Sequence, residues 1–351
     1  MKVQVYEGGL KMVEKSGIGM AVQHQKQAIL RAGMEYTAKA ETDCDVVQFN
    51  TIFPDSYIMS KIAKRQGKKV VYYGHSTMED FQNSFIGSNL LAPLFKKWIT
   101  KCYENGDVII TPTEYSKKIL ESYGIKKTIV NLTNGIDIQN YKKSKMGSAR
   151  FREKYNLSDD EKVIISVGHF IERKGILDFI ELAKRFPEYT FIWFGYTNPN
   201  LIPKNIQTAI KTKLPNLIFA GYVDKNELKD AYSGSDLFLF LTQEETEGIV
   251  VLEAMAMELP LLIRDIPIYE KWLPDKEAAY KGKCLEEFED LLPKMLEGRN
   301  QNLTEKALQI VQKNDIVEVG RKLHNIYDRL LVGEGNKNES FNYNGLVQTC
   351  N

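Results

Sequence analysis

The sequence predicts an α/β protein built from two consecutive doubly wound parallel-sheet domains. Three observations carry that prediction. Short apolar runs rich in Val, Ile and aromatic residues alternate with longer amphipathic stretches. Runs of this kind are strands buried on both faces, and the stretches between them are long enough for crossover helices. The rhythm pauses once, at 141–161 (YKKSKMGSARFREKYNLSDDE), a polar and charged segment that reads as an interdomain connection. A length of 351 residues also suits two domains rather than one.

In the first half the strands are expected at 2–6 (KVQVY), 45–49 (DVVQF), 69–73 (KVVYY), 107–111 (DVIIT) and 128–131 (TIVN). A fresh series opens at Val163, with strands at 162–167 (KVIISV), 190–194 (TFIWF), 217–220 (LIFA), 236–241 (DLFLFL) and 260–263 (PLLI). The domains are placed at 1–145 and 146–314. A last helix at 315–332 could cross back to the first domain. The tail 333–351 (GEGNKNESFNYNGLVQTCN) is polar and is expected to be disordered. No internal repeat is visible.

The composition, 43% hydrophobic and 26% charged, excludes a fibrous or disordered chain. The net charge of +1 conceals an asymmetry. Residues 1–150 hold 22 Lys and Arg against 14 Asp and Glu, a net +8, and the remainder is −7. A basic half points to an anionic partner: nucleic acid, a phosphate ligand or an anionic membrane surface. Cys44, Cys102, Cys284 and Cys350 are scattered, as are the four His, so a zinc site is not expected and free thiols in a reducing cytoplasm fit best. Met1 leads straight into a strand-like segment, without a signal peptide. No apolar run approaches the ~20 residues that span a bilayer, so membrane contact would be peripheral.

The most informative segment is 236–265, DLFLFLTQEETEGIVVLEAMAMELPLLIRD, which reads as strand, loop, helix, turn, strand. In doubly wound sheets ligands bind at the carboxyl ends of strands, at such junctions. The N–H groups of Gly248, Ile249 and Val250, at the helix start, suit a phosphate. Glu245 at the loop tip and Glu253 in the helix could each hold two hydroxyls, one set on a sugar and one on a ribose. Glu245 also fits a helix-capping charge beside Glu244 and Glu247, and Glu253 a plain helix-surface carboxylate. In 166–178 (SVGHFIERKGILD) Arg173 and Lys174 precede a helix start at Gly175 and could neutralise a diphosphate, or form a solvated basic turn. Gly168 opens that loop. In 7–24 (EGGLKMVEKSGIGMAVQH) Gly17 and Gly19 allow close backbone approach before a helix. This is not the GxGxxG fingerprint, which disfavours a dehydrogenase. His75 directly follows the third strand, a cleft position or an ordinary loop histidine.

Together these residues resemble the family-4 retaining glycosyltransferases of the GT-B fold, two Rossmann-like domains about a cleft. The resemblance rests on Glu245 and Glu253 in EETEGIVVLEAMA, the Arg-Lys-Gly turn at 173–175, Asn134-Gly135-Ile136-Asp137 and the first glycine-containing loop, and it spans residues 1 to about 332. It implies that Glu253 binds the donor ribose, Glu245 the sugar hydroxyls, and Arg173 and Lys174 the diphosphate. It also implies that His75 contacts the transferred sugar and that Gly17 and Gly19 wall the phosphates. One departure is Gly168-His169, where the family usually has Gly-Arg. Within the family, GHSTMEDFQNSF and EETEGIVVLEAMAMELPLLIRDIPIYEKWL look most like bacterial enzymes that add a hexose to monoglucosyl-diacylglycerol.

The resemblance implies UDP-glucose or UDP-galactose as donor, a glycolipid acceptor and a peripheral place on the inner face of the cell membrane. No metal is expected, since no Asp-x-Asp pair follows a strand end, and no nucleic-acid partner, since no aromatic-interleaved basic motif occurs. Phe85, Leu94, Phe95, Lys96, Lys97, Trp98 and Lys101 in SFIGSNLLAPLFKKWITK are candidates for an anionic bilayer interface, or for a helix packed on the sheet. Two alternatives stay open: a capsular or cell-wall saccharide as acceptor, and an inactive sugar-nucleotide-binding protein.

Overall fold

A computed structural model describes residues 1–40 and 43–333; the tail expected to be disordered lies, beyond Gly333, outside the described residues. Among the described residues two six-stranded sheets hold the strands, and every strand pairing in them is parallel. The first contains β1 (Lys2–Tyr6), β2 (Glu35–Thr37), β3 (Val46–Phe49), β4 (Lys69–Tyr73), β5 (Val108–Thr111) and β6 (Thr128–Asn131), in the order β2-β1-β3-β4-β5-β6. The second contains β7 (Val163–Val167), β8 (Thr190–Phe194), β9 (Leu217–Gly221), β10 (Leu237–Phe240), β11 (Leu261–Arg264) and β12 (Tyr280–Gly282), in the order β12-β11-β10-β7-β8-β9. Counted from its own first strand, that is the 3-2-1-4-5-6 order of nucleotide-binding sheets.

Ten of these strands coincide with the apolar runs within a residue or two at each end. The two that the sequence did not show, β2 and β12, are three-residue edge strands. At three residues each they are too short to carry a continuous apolar run, whereas the other two edge strands, β6 and β9, are four and five residues long and show one. The connection at 141–161 is also more ordered than its composition suggests. It contains a helix, Lys145–Lys154, capped by Ser144 and laid against the helix Lys225–Gly234. A single buried Phe151 and the Arg150–Asp230 and Lys154–Glu227 ion pairs hold it, too little apolar pattern to be read as a helix.

Each sheet is covered on both faces by apolar clusters. The last helix, Ile316–Val332, packs on the helix Gly17–Arg31 of the first sheet and adds Leu323, Ile326 and Tyr327 to that sheet's core. The chain thus begins and ends on one layer. Strand order reverses between β1 and β3 in the first sheet and between β7 and β10 in the second. Loops diverge at such points and leave a crevice. In the second sheet the diverging loops are 168–175 and 241–248, the two segments singled out for chemistry.

Candidate active site

The reversal point brings the cations and carboxylates together. The Gln243 N–H donates to the Arg173 carbonyl at 2.8 Å, which zips the two loops side by side. Gly175, at φ +78°, closes the first loop against β10: a Cβ there would lie 2.2 Å from the Leu241 carbonyl oxygen. Lys174 Nζ forms an ion pair with Glu245, whose Oε1 also accepts from Thr242 Oγ1 at 2.9 Å. Burial pushes the Glu245 carboxyl up, but Lys174 and Arg173 overcome that and hold it below its ordinary range. Glu245 therefore stays ionised inside the protein.

Arg173 faces the other way, across the domain boundary. Its guanidinium pairs with Asp80 at 3.0 Å, its Nε donates to Ser84 Oγ at 3.2 Å, and it also donates to the Glu244 carbonyl at 2.5 Å. Two neighbouring cations thus have distinct tasks in this structure: Lys174 serves its own domain and Arg173 ties the two domains.

Glu245 does not cap the helix Ile249–Ala256, which has no side-chain cap. That helix begins at Gly248 in the left-handed region (φ +80°), and a Cβ there would meet the Tyr269 hydroxyl at 2.8 Å. The first-turn amides of Ile249 and Val250 lack intrahelical acceptors by geometry and sit at a partly exposed edge beside Glu245. Glu253 is not a surface carboxylate either. It is 2% exposed and accepts from Tyr141 at 2.6 Å and Tyr232 at 3.0 Å. Burial raises its pKa, and the two phenols oppose the rise.

His75, at the end of β4, is buried, with Nε2 3.0 Å from Asn50 Oδ1 and 3.3 Å from Gln25 Nε2. Burial pushes its pKa down to about 4, so the imidazole is neutral near pH 7. Gly17 is exposed, with open space where a Cβ would stand, whereas Gly19 is covered by its own loop: a Cβ would lie 2.1 Å from the Glu14 carbonyl. Of the two glycines expected to wall the phosphates, Gly17 alone presents an open face. The same loop reaches the second domain, where Lys15 Nζ lies 4.9 Å from the Tyr222 ring centre. Gly168 packs against Lys174 and Trp193, and His169 Nδ1 lies 2.9 Å from the Tyr196 carbonyl; burial, with Lys174 and Arg173 nearby, pushes its pKa down.

The sequence reading passed over the residues that close the cleft. Tyr115 donates to Glu244 Oε2 at 2.9 Å and Thr113 to the Thr246 carbonyl at 2.9 Å. Glu247, seen only as a neighbouring charge, accepts from Thr133, from the Asn134 N–H at 2.9 Å and from Asn134 Nδ2 at 2.5 Å. Its one sequence signal is its place between Glu245 and Gly248.

The interface candidates separate into two groups. The helix Ser88–Glu104 buries Ala92, Ile99, Cys102 and Tyr103, while Leu90 (84% exposed) and Leu94 (64%) point outward beside Phe85 and Ile86. Phe95 and Trp98 turn inward: Phe95 stacks on Phe81 at 4.2 Å and Trp98 donates to the Ile52 carbonyl at 2.7 Å. Lys96 lies over the Tyr123 ring, whereas Lys97 and Lys101 are exposed. Phe95, Trp98 and Lys96 are therefore packing residues. Among the described residues, no helix is long and apolar enough to cross a membrane.

Two parallel sheets of nucleotide-binding type, with paired charges and a helix start at the edge where they meet, define a two-domain protein of Rossmann-like class. Sequence comparison gives the class: residues 148–313 match the family described as glycosyl transferases group 1, and residues 23–140 match glycosyltransferase family 4. The chain belongs to the family-4 retaining GT-B glycosyltransferases and is a hexosyltransferase. It is 41% identical over 333 residues, 94% of its length and 99% of the relative's, to the processive diacylglycerol alpha-glucosyltransferase of Acholeplasma laidlawii. It is 25% identical, over 77% of its length and 74% of the relative's, to the alpha-galactosylglucosyldiacylglycerol synthase of Streptococcus pneumoniae. In fold it matches Anabaena HepE, solved in complex with UDP-glucose, at a TM-score of 0.74 and 15% identity, covering 93% and 99% of the two chains.

Proposed function

We propose that the chain moves a hexose, glucose or galactose, from a UDP-sugar to monoglucosyl-diacylglycerol with retention, forming an α-linked diglycosyl-diacylglycerol at an anionic membrane surface. The observation that carries this reading is the buried Lys174–Glu245 pair beside the Gly248 helix start, at the strand-order reversal. The similarity to diacylglycerol glycosyltransferases supports the choice of acceptor.

Breaking the anomeric C–O bond leaves negative charge on the departing β-phosphate and positive charge on the sugar ring. Lys174, Arg173 and the amides of Gly248, Ile249 and Val250 stabilise the first. The ion pairs of Arg173 with Asp80 and of Lys174 with Glu245 keep these cations oriented, and a diphosphate exchanges one set of charge-assisted bonds for another. Glu245, held ionised, accepts sugar hydroxyls and offsets ring charge. Glu253 takes the ribose by displacing a tyrosine hydroxyl. His75, neutral, accepts from or donates to the hexose without adding a second positive charge near the developing oxocarbenium ion. Charge neutralisation needs no divalent ion in this scheme, so activity is expected to survive a chelator.

The direct test is incubation with a panel of labelled sugar nucleotides and monoglucosyl-diacylglycerol in detergent or vesicles, read by chromatography. A labelled diglycosyl lipid formed from a UDP-hexose is the expected result. Transfer to a soluble saccharide with none to the lipid would overturn the acceptor. Binding of UDP-sugar without transfer to any acceptor would mark an inactive binder.

A further inference from the structure

A buried chain of polar side chains joins the donor loop to the core of the opposite domain. Tyr327 on the last helix donates to Gln48 Oε1 at 2.8 Å, Gln48 Nε2 to Gln25 Oε1 at 2.5 Å, Gln25 Nε2 to Asn134 Oδ1 at 2.7 Å, and Asn134 Nδ2 to Glu247 Oε2 at 2.5 Å. All five groups are buried. Every bond donates in the same direction and the last ends on a carboxylate, so each polarises the next. The only carboxyl group among the five is that of Glu247, whose pKa burial raises against the pull of its bonds from Thr133 and Asn134; it belongs to the other domain and stands between Glu245 and the Gly248 turn.

We propose that Glu247 is a positioning residue: it clasps the donor loop to the N-terminal domain and, through Asn134 and Gln25, sets which atom is presented to His75. The proposal rests on the reading of His75 as a contact to the transferred sugar. Orientation follows from donor and acceptor counting. The Glu247 oxygens accept from Thr133, from the Asn134 N–H and from Asn134 Nδ2, so Asn134 turns its nitrogen toward Glu247 and its oxygen toward Gln25. Gln25 must then present its nitrogen, which lies 3.3 Å from His75 Nε2. The Asn134 backbone N–H, also bound to Glu247, cannot turn and holds the carboxylate in register.

Glu247→Gln keeps the shape and reverses this logic. The new carbonyl oxygen stays on the side of the Asn134 N–H, so the new amide nitrogen meets Asn134 Nδ2, donor against donor. Relief requires Asn134, Gln25 and Gln48 to turn in sequence, which replaces the nitrogen facing His75 by an oxygen. We expect kcat to fall about 10- to 100-fold with donor KM changed far less, and the ¹⁵N signals of the His75 ring to shift in the protein without substrate. Combining it with Asn134→Asp restores an acceptor opposite both the new amide and Gln25, so the double variant should regain most of the turnover and the parent His75 signals. Asn134→Asp alone sets two carboxylates against each other and should be the worst of the three.

Tyr115→Phe, which removes a domain-bridging bond outside the chain, should leave the His75 signals in place. A Glu247→Gln variant with unchanged kcat and an unchanged His75 spectrum overturns the proposal. So does a double variant that melts no higher and turns over no faster than the single one. The spectrum needs no substrate. A parent protein that transfers no sugar would therefore sink the functional reading while the His75 signals still decide this one.

Discussion

The two sheet edges that meet at the cleft solve different problems. The C-terminal edge works with ion pairs, Lys174 on Glu245 and Arg173 toward Asp80, beside the buried Glu253 carboxyl held by two phenols. The N-terminal edge works with neutral groups: Asn50, His75, Gln25, Gln48 and Asn134. Charge suits a dianionic diphosphate, and neutral amides suit hydroxyls. The cleft also inverts the overall balance, because its cations come from the half of the chain that is net acidic. The basic surplus of the first half is therefore free for another surface, and the exposed Lys97 and Lys101 lie beside outward-facing Leu90 and Leu94.

If charge is the instrument of the C-terminal edge, its loss should be the costliest change. Lys174→Ala is expected to lower kcat about 100- to 1000-fold, as removal of a transition-state charge stabiliser does, with acceptor KM little moved. It also leaves Glu245 buried without its main counter-charge, so a melting curve must accompany the kinetics. An unchanged kcat would dissolve the distinction between the edges. Next in size is Tyr141→Phe, which strips one donor from the buried Glu253. The unsatisfied oxygen should cost about 1–3 kcal/mol of stability, and donor KM should fall, since the ribose no longer has to displace that hydroxyl, with kcat nearly constant. Denaturant titration and donor-saturation curves measure both.

On the neutral edge the probe is proton uptake. The His75 pKa is about 4 in the fold, depressed by burial from about 6.5 in the unfolded chain. Between those values the unfolded state binds the proton and the folded state does not, so the contribution of His75 to stability is full above pH 6.5 and is lost as pH falls toward 4. His24 behaves in the same way, and Glu244, pushed up to about 7 by burial, slopes oppositely. A variant comparison isolates one group: relative to the parent, His75→Asn should lose about 1.4 kcal/mol less per pH unit within that window. Parallel stability–pH curves would mean that His75 is solvated and charged as usual.

The strands were legible because parallel strands are buried on both faces and leave apolar runs; β2 and β12, three residues long, and the helix Lys145–Lys154, with Phe151 as its one buried aromatic, left too little apolar pattern to be read. The gathering of Arg173, Lys174, Glu245 and Gly248 at one sheet edge was legible because the loops that follow parallel strands leave the sheet on the same side. Glu247, Asp80, Tyr141 and Gln25 were not. Their importance arises from partners more than 70 residues away in sequence, and nothing local distinguishes an amide that crosses a domain boundary from one on the surface. Gly19 shows the converse: a glycine in a promising loop whose task is to admit its own backbone.

The smallest expected effect concerns the surface that the basic half leaves free. On the helix Ser88–Glu104, residues 90, 94, 97 and 101 fall on one outward stripe, apolar in its first half and cationic in its second. The opposite stripe packs on β-sheet core through Ala92, Ile99 and Cys102, so one helix can both stabilise the domain and present leucines to a bilayer interface. Lys97 is the clean probe, because Lys101 also lies over the Tyr57 and Trp98 rings. Lys97→Ala should weaken binding to anionic vesicles by about 1 kcal/mol, roughly fivefold, and leave binding to neutral vesicles unchanged. Leu94→Glu should weaken both. Flotation at two salt concentrations separates the terms, since the lysine contribution is screened and the leucine contribution is not. Equal binding of parent and Lys97→Ala to anionic and neutral vesicles alike would mean that the positive surplus of this domain faces something other than lipid.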